Sequence, residues 1–507
     1  MLSIMNKVNE IAEKLHKLQV EQSKLGWTLY TVGYDFGIED MYKKVVEAFK
    51  DKESYSIICE AMNEDLDPVD KRRVEIMHSA FSSYHLSDEL NELDMKIKLK
   101  TNELSKTLNT FRYSFEGRQV SSVELAQALS SDDDRERRKA AFFARAQINK
   151  PMVDGGFIEL VKLRKEYAKK YGSENFVEYM LERNELDKDI FDSWKSQLHE
   201  LLPKMNEVRQ KYAKEFLNDD VIMPWDEQYI SSKIAPSLNS AVDMSNYHGN
   251  IKELFDVFGI DISKYNITYD LFPRANKSEW GYNFTIETGV DSRILANVKN
   301  KFFEYGVLLH ETGHAVHSFL KDPEELILNR GISGIVTEGI ANLFGGFLYD
   351  PNFYGKFFDD KEKVEKEFTM LKEYKGLNSL RTINTIFFDH NLYKHDVESL
   401  EDIYELYWNT RKELLGEEPF GGEPPWAFLI HHTTHPIYYH NYFMGDVTCE
   451  MLAKVFKEKY EADIFDKPEE FGKFIIDEVI KPSGLYKYGE LFKGISGKDF
   501  SLSYMIE

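Results

Sequence analysis

Residues 310 to 314 read His-Glu-Thr-Gly-His. Positions four apart share one face of a helix, about 5–6 Å apart at Cβ. His310 and His314 can therefore grip one metal ion from the same side. Glu311, directly after the first histidine, then points beside the ion and is free to act as a base on water. The preceding Phe302 to Leu309, FFEYGVLL, is apolar or aromatic apart from Glu304 and Gly306. That run predicts a helix buried in the core, the rigid platform a metal site needs.

A zinc site needs a third protein ligand. The continuous pattern HExxHxxGxxH fails, because position 317 is His and position 320 is Leu. A carboxylate from a separate, following helix is the other source, and Glu338 supplies it 24 positions after His314, within GISGIVTEGIANLFGGF. Gly331, Ser333 and Gly334 mark a turn, and Ser333 or Thr337 can cap the next helix, with Glu338 expected in its first turn. A glutamate there would also suit the helix dipole, but the upstream histidine pair favours the ligand reading. His317 is the competing ligand; one turn past His314, it is expected to pack or hydrogen-bond within the site.

A second constellation lies at Ile430 to Met451, IHHTTHPIYYHNYFMGDVTCEM, with four histidines and three tyrosines between His431 and Tyr442. Tyr439 and Tyr442 share a helix face if Pro436 opens that helix at its first turn. Hydrolysis of a peptide bond generates an oxyanion, and neutral OH or NH donors are its expected partners. An aromatic face used only for packing is the competing reading.

HETGHAVH with its downstream glutamate resembles the gluzincin oligopeptidases: oligoendopeptidase F, thimet oligopeptidase and the related angiotensin-converting enzyme. HPIYYHNY is similar to a tyrosine-rich segment of oligoendopeptidase F. Asp291 to His314, DSRILANVKNKFFEYGVLLHETGH, resembles the strand-then-helix entry of the converting-enzyme type. Pro224-Trp225-Asp226 with Tyr229 is similar to a segment of the thimet group, and Ser483 to Phe500 to the closing helix of oligoendopeptidases. The resemblance covers the chain from about residue 220 onward; residues 1–215 carry no such motif.

Carried onto this chain, the resemblance implies one zinc ion held by His310, His314 and Glu338, with Glu311 as the base. It makes Tyr442 the oxyanion donor, with His432 and Tyr439 holding substrate or developing charge. His431 or His435 can take the histidine role instead, since HHTTH aligns ambiguously. Trp280 to Ile286 would be an edge strand that pairs with substrate backbone. Two departures stand out. Where the converting enzyme has an acid four residues after the third ligand, this chain has Asn342; where it has a lysine two residues before the pocket histidine, this chain has Ile430. The second favours internal cleavage of short peptides over release of dipeptides from C-termini.

Composition agrees with a large enzyme. A chain of 507 residues buries a substantial core and predicts two lobes. No run of about 20 apolar residues exists, so no membrane span is expected. The amphipathic start, MLSIMNKVNEIAEKLHKL, is not a signal peptide. Two cysteines, Cys59 and Cys449, give no disulfide framework and point to the cytoplasm. A net charge of -23 disfavours nucleic acid and acidic membranes. Short peptides are the expected partners; the sequence leaves monomer and homo-oligomer both open.

The elements are overwhelmingly helical. Ile4, Val8, Ile11, Leu15 and Leu18 alternate in steps of four and three, and Leu86 to Leu108 repeats the pattern, so the first helices are expected to form a packed hairpin. Asp187 to Asn218 predicts another helix, bent at Pro203. Strand signals are confined to Tyr265 to Phe272, Gly281 to Ile286 and Ser292 to Val298. Leu414 to Trp426, rich in Gly and Pro, reads as a mobile rim. The expected fold is mainly α: a two-lobed helical metallopeptidase with a small sheet beside the zinc helix and a deep channel. Residues 1–215 would form one lobe and 216–507 the catalytic lobe, or one continuous domain split by a cleft. A zinc endo-oligopeptidase is the leading reading. A zinc carboxypeptidase or peptidyl-dipeptidase on the same scaffold, and a non-catalytic helical binding protein with a structural metal, are the alternatives.

Overall fold

The computed structural model describes residues 3–278 and 281–506. The chain is mainly α-helical. It folds as two compact units, and each is interleaved in sequence. The first comprises Met1–Leu86, Leu238–Asp359 and Met444–Phe500; the second comprises Ser87–Ser237, Asp360–Phe443 and Ser501–Glu507. A single division near residue 215 therefore does not describe the units: the segment before it contributes to both.

In the first unit, the helix Ile4–Val32 starts where the Ser3 hydroxyl accepts the Asn6 N–H at 3.2 Å. It stops at Gly33, which is left-handed (φ 72°), and a Cβ there would stand 2.5 Å from the Asn276 carbonyl oxygen. Only glycine suits both the turn and the close approach. The periodic Val8, Ala12 and Leu15 do not serve a two-helix hairpin. They pack with Phe49, Ile58, Val74, Met77 and Phe81 from the next three helices, Ile38–Phe49, Lys52–Ala61 and Pro68–Ser82.

The three-stranded sheet of this unit has Asp291–Leu295 in the centre, parallel to Ile267–Asp270 and antiparallel to Tyr282–Glu287. All three predicted strands form, each displaced or trimmed by a few residues. The buried Lys277 ammonium holds the connection between the outer two, donating to the carbonyls of Asp270 (2.9 Å), Phe272 (3.1 Å) and Ala296 (2.6 Å). Tyr282–Glu287 is an edge strand, as expected of this segment, although Trp280 lies outside the described residues.

Among the described residues, strand pairing in the second unit is confined to the hairpin Tyr113–Phe115 with Arg118–Val120. Trp194–Leu217 forms a helix with Pro203 inside it, preceded by a separate short turn at Lys188–Phe191. Asp226, in the Pro-Trp-Asp segment, is wholly buried between Arg135 and Arg138, and Tyr229 donates to Asp133 at 2.9 Å. That motif is structural. The stretch expected to be a mobile rim is pinned: Arg381 and Arg411 clasp Glu417 at 2.7 and 2.6 Å, Phe420 packs edge-on against Trp225 and Trp408 and tilted against Phe142, and Trp426 is fully buried.

Candidate metal centre

His310 and His314 lie on the helix Phe303–Phe319, and Glu338 on the helix Gly334–Gly346. Glycines set how closely these helices approach. A Cβ on Gly313 would stand 3.1 Å from the Ala341 Cα, and one on Gly345 would stand 3.2 Å from the His310 Cβ. Larger residues at either position would push Glu338 away from the imidazoles. Ser333 caps the glutamate helix, its hydroxyl accepting the Ile335 N–H at 3.2 Å. Glu338 is the fifth residue of that helix, just past the first turn in which it was expected.

The three side chains converge. His310 Nε2 lies 3.7 Å from one Glu338 oxygen and His314 Nε2 lies 3.7 Å from the other. One ligand atom from each falls within 4.8 Å of the other two. Tetrahedral zinc with bonds of about 2.0–2.1 Å spaces its ligands by about 3.3 Å, so these donors need only a small adjustment. Burial, and for His314 the neighbouring His310 as well, holds both histidines below their usual pKa, His314 at about 3. Both rings are thus neutral near pH 7, with lone pairs to offer. Imidazole nitrogen with a carboxylate suits zinc among common divalent ions. His317 is not part of this group; its ring is buried, with Nε2 unpartnered among the described residues.

Glu311 is buried beside the cluster, and its carboxyl is pushed up to about 7, first by burial and then by the charge of Glu338. The Asn283 backbone N–H, on the edge strand, reaches the same carboxylate and pulls the other way. Sequence reasoning missed this strand-to-base contact; the signal available was the strand predicted over Gly281 to Ile286, which contains Asn283.

His432, Tyr439 and Tyr442 belong to the second unit. There the structure separates His432 from the tyrosines it was expected to join. His432 Nδ1 and Nε2 face the Trp426 and Thr385 carbonyls at 3.0 and 3.4 Å, and the ring packs edge-on against Phe388. His431 takes the place instead, its ring 5.1 Å from Tyr439 and 5.6 Å from Tyr442, stacked on Tyr438. Consecutive residues of the short turn Ile430–His432 point different ways, and that sends the two imidazoles to different neighbours. His435, the other alternative, is exposed. Pro436 does not open the tyrosine helix. Ile437 is left-handed (φ 53°) with its N–H held by the buried Asp389 at 2.6 Å, and the helix begins at His440. Tyr439 and Tyr442 still meet, with ring centroids 5.8 Å apart.

In this helical fold, two imidazoles and a carboxylate from adjacent helices converge where they could hold one metal ion, with a buried acid alongside. The family model "Peptidase family M3" matches residues 128–507. The chain belongs to this family and is a metallopeptidase. No curated protein matches it in sequence. Among solved structures, it resembles a protein assigned as oligoendopeptidase F, with a TM-score of 0.71, 17% identity, and coverage of 97% of this chain and 88% of the other. A Pyrococcus furiosus carboxypeptidase matches at TM-score 0.67 and 13% identity, covering 100% and 98%. An M32 carboxypeptidase from Deinococcus radiodurans matches at 0.68 and 14%, covering 99% and 97%. At these identities the likeness is one of fold.

Proposed function

We propose that this metallopeptidase is zinc-dependent and hydrolyses internal bonds of short peptides. The observation that carries the reading is the convergence of His310, His314 and Glu338, with the buried Glu311 adjacent in sequence to the first of them. In this reading His310, His314 and Glu338 hold the ion, which when bound supplies Lewis-acid polarisation of the scissile carbonyl. Glu311 takes a proton from the attacking water and delivers it to the leaving amine, and its raised pKa suits both halves of that transfer. Tyr442, Tyr439 and a histidine of the same segment are proposed to donate hydrogen bonds to the oxyanion and substrate. His431 is favoured over His432, because neither ring nitrogen of His432 is left for a ligand.

The solved carboxypeptidases of like fold keep a second reading in view, removal of C-terminal residues. Where the converting enzyme has a lysine two residues before its pocket histidine, this chain has Leu429 counted from His431 or Ile430 counted from His432; either is apolar, offers no charge to a terminal carboxylate and supports the endo reading. The pairing of the edge strand with substrate backbone belongs to the same proposal. So does a cytoplasmic setting, which rests on Cys59 and Cys449 forming no disulfide and on no helix among the described residues being long and apolar enough to cross a membrane.

The test is metal analysis of the purified protein together with cleavage of quenched peptides blocked or free at their C-termini. One equivalent of zinc with internal cuts in blocked peptides is the expected result. Cuts that require a free C-terminus would establish the carboxypeptidase reading instead. One equivalent of zinc without cleavage of either peptide set would leave only the reading of a binding protein with a structural metal, and absence of zinc would overturn the zinc reading.

A further inference from the structure

We propose that Asp446 is a positioning residue for the metal centre, bracing His310 through the side-chain amide of Asn342. The inference rests on the metal reading above. A histidine that binds metal through one ring nitrogen nearly always donates its other N–H to an oxygen, which fixes tautomer and ring orientation. His310 turns Nε2 toward Glu338, and its ring hydrogen-bonds the Asn342 side chain. An amide alone offers no charge there and has two orientations.

Asp446 supplies what is missing on both counts. Asn342 Nδ2 donates to Asp446 Oδ1 at 2.9 Å. A carboxylate only accepts at such a contact, so the amide NH₂ must face Asp446 and the amide oxygen must face His310. An oxygen at that place accepts the ring N–H and leaves Nε2 as the lone-pair atom directed at the ion. The negative charge sits one hydrogen bond further out than in a direct histidine–carboxylate pair, and the polarised amide transmits part of it.

The packing here is as tight as between the two ligand helices. A Cβ on Gly445 would stand 2.9 Å from the Glu338 Cβ and 3.7 Å from Asn342 Nδ2, and one on Gly339 would stand 2.8 Å from Thr448. Gly339 and Gly445 let the backbone beside Asp446 press against the ligand glutamate. The segment is thereby fixed to the centre at two points, Glu338 and Asn342. An aspartate at position 342 would confront Asp446 with a like charge, so the asparagine and the distant acid are complementary.

The test measures zinc affinity of the full chain by competition with a chelator, with thermal unfolding of each metal-free variant as the control for folding. Asp446→Ala is expected to weaken zinc by roughly 10–100-fold, the usual effect of losing an outer partner. The loss should shrink to less than about threefold when made in an Asn342→Ala background, because the relay is already cut. Asn342→Asp with Asp446→Asn places the acid directly on His310 and should restore affinity to within about fivefold of the unaltered chain. Should Asp446→Ala fail to fold, Asp446→Asn and the exchanged pair carry the test. Zinc affinity indifferent to Asp446, or an equal loss with and without Asn342, overturns the relay alone. An unaltered chain that binds no zinc overturns the metal reading itself.

Discussion

Glu338 offers one carboxylate oxygen to His310 and the other to His314, each at 3.7 Å. A single glutamate thus faces both imidazoles. Replacing it with alanine should weaken zinc binding by more than the roughly 10–100-fold typical of an outer partner. Chelator competition measures this, and a loss below that range would remove Glu338 from the ligand set.

Glu311 is not a ligand in this reading, so Glu311→Gln should retain one equivalent of zinc while turnover falls by roughly 10²–10⁴-fold. Metal content and peptide cleavage on the same preparation separate the two effects. Loss of the metal along with activity would reassign this residue.

The pH dependence of that base has a definite sign. Its carboxyl is pushed up to about 7 by burial and by Glu338, and it must be ionised to accept a proton. Activity is therefore lost as pH falls through its pKa. A cation bound at Glu338 opposes the second cause, so the acid limb of kcat/KM should lie below about 7 yet above the ordinary carboxylate value of about 4.3. A profile flat down to pH 4 would contradict the assignment.

The helix pair makes opposite forecasts for two of its glycines. Gly313→Val drives a side chain into Ala341 and Phe344 and should cost about 1–3 kcal/mol, with weaker zinc binding as the helices part. Gly346→Ala meets nothing within 4 Å and should stabilise by about 0.5–1 kcal/mol. Urea midpoints of the two variants check the contrast.

Asp389 makes a further pH forecast, in the second unit. Burial raises its carboxyl well above the usual range while it accepts the Ile437 N–H. A raised folded-state pKa means that its stability contribution is complete below the unfolded value of about 3.9 and declines as pH rises toward the folded one. Asp389→Asn keeps the acceptor without the titration, so its stability relative to the unaltered chain should grow between pH 4 and 7. A difference independent of pH would show that Asp389 is ionised in the folded protein.

Much of the metal centre was legible because it is local. The i, i+4 spacing of His310 and His314 follows from helix geometry, and the Ser333 turn marks where the next helix begins. The Asn342–Asp446 contact was not legible, since nothing local joins residues 104 positions apart. His431 and His432 are adjacent and alike in composition; only the backbone of their short turn decides which ring meets the tyrosines. Pro436 suggested a helix start that Ile437 cancels by entering the left-handed region, a conformation no propensity would assign to a β-branched residue. The long helices were plain from apolar spacing, but spacing does not say which partner each apolar stripe meets. The first helix therefore read as half of a hairpin rather than as one wall of a cluster.

The interleaving of the two units fixes an order of events during synthesis. Arg72 donates to the Gly484 carbonyl at 2.9 Å, and the Gly484 N–H returns to the Leu328 carbonyl at 3.1 Å, so the first and last portions of one unit are stitched across most of the polypeptide. His310, His314 and Glu338 leave the ribosome before Gly445 and Asp446, which pack against Glu338 and Asn342. The opening helices can cover most of their apolar faces against one another once Phe81 has emerged, and Ile327, Leu328 and the Gly484 contacts complete that packing only later.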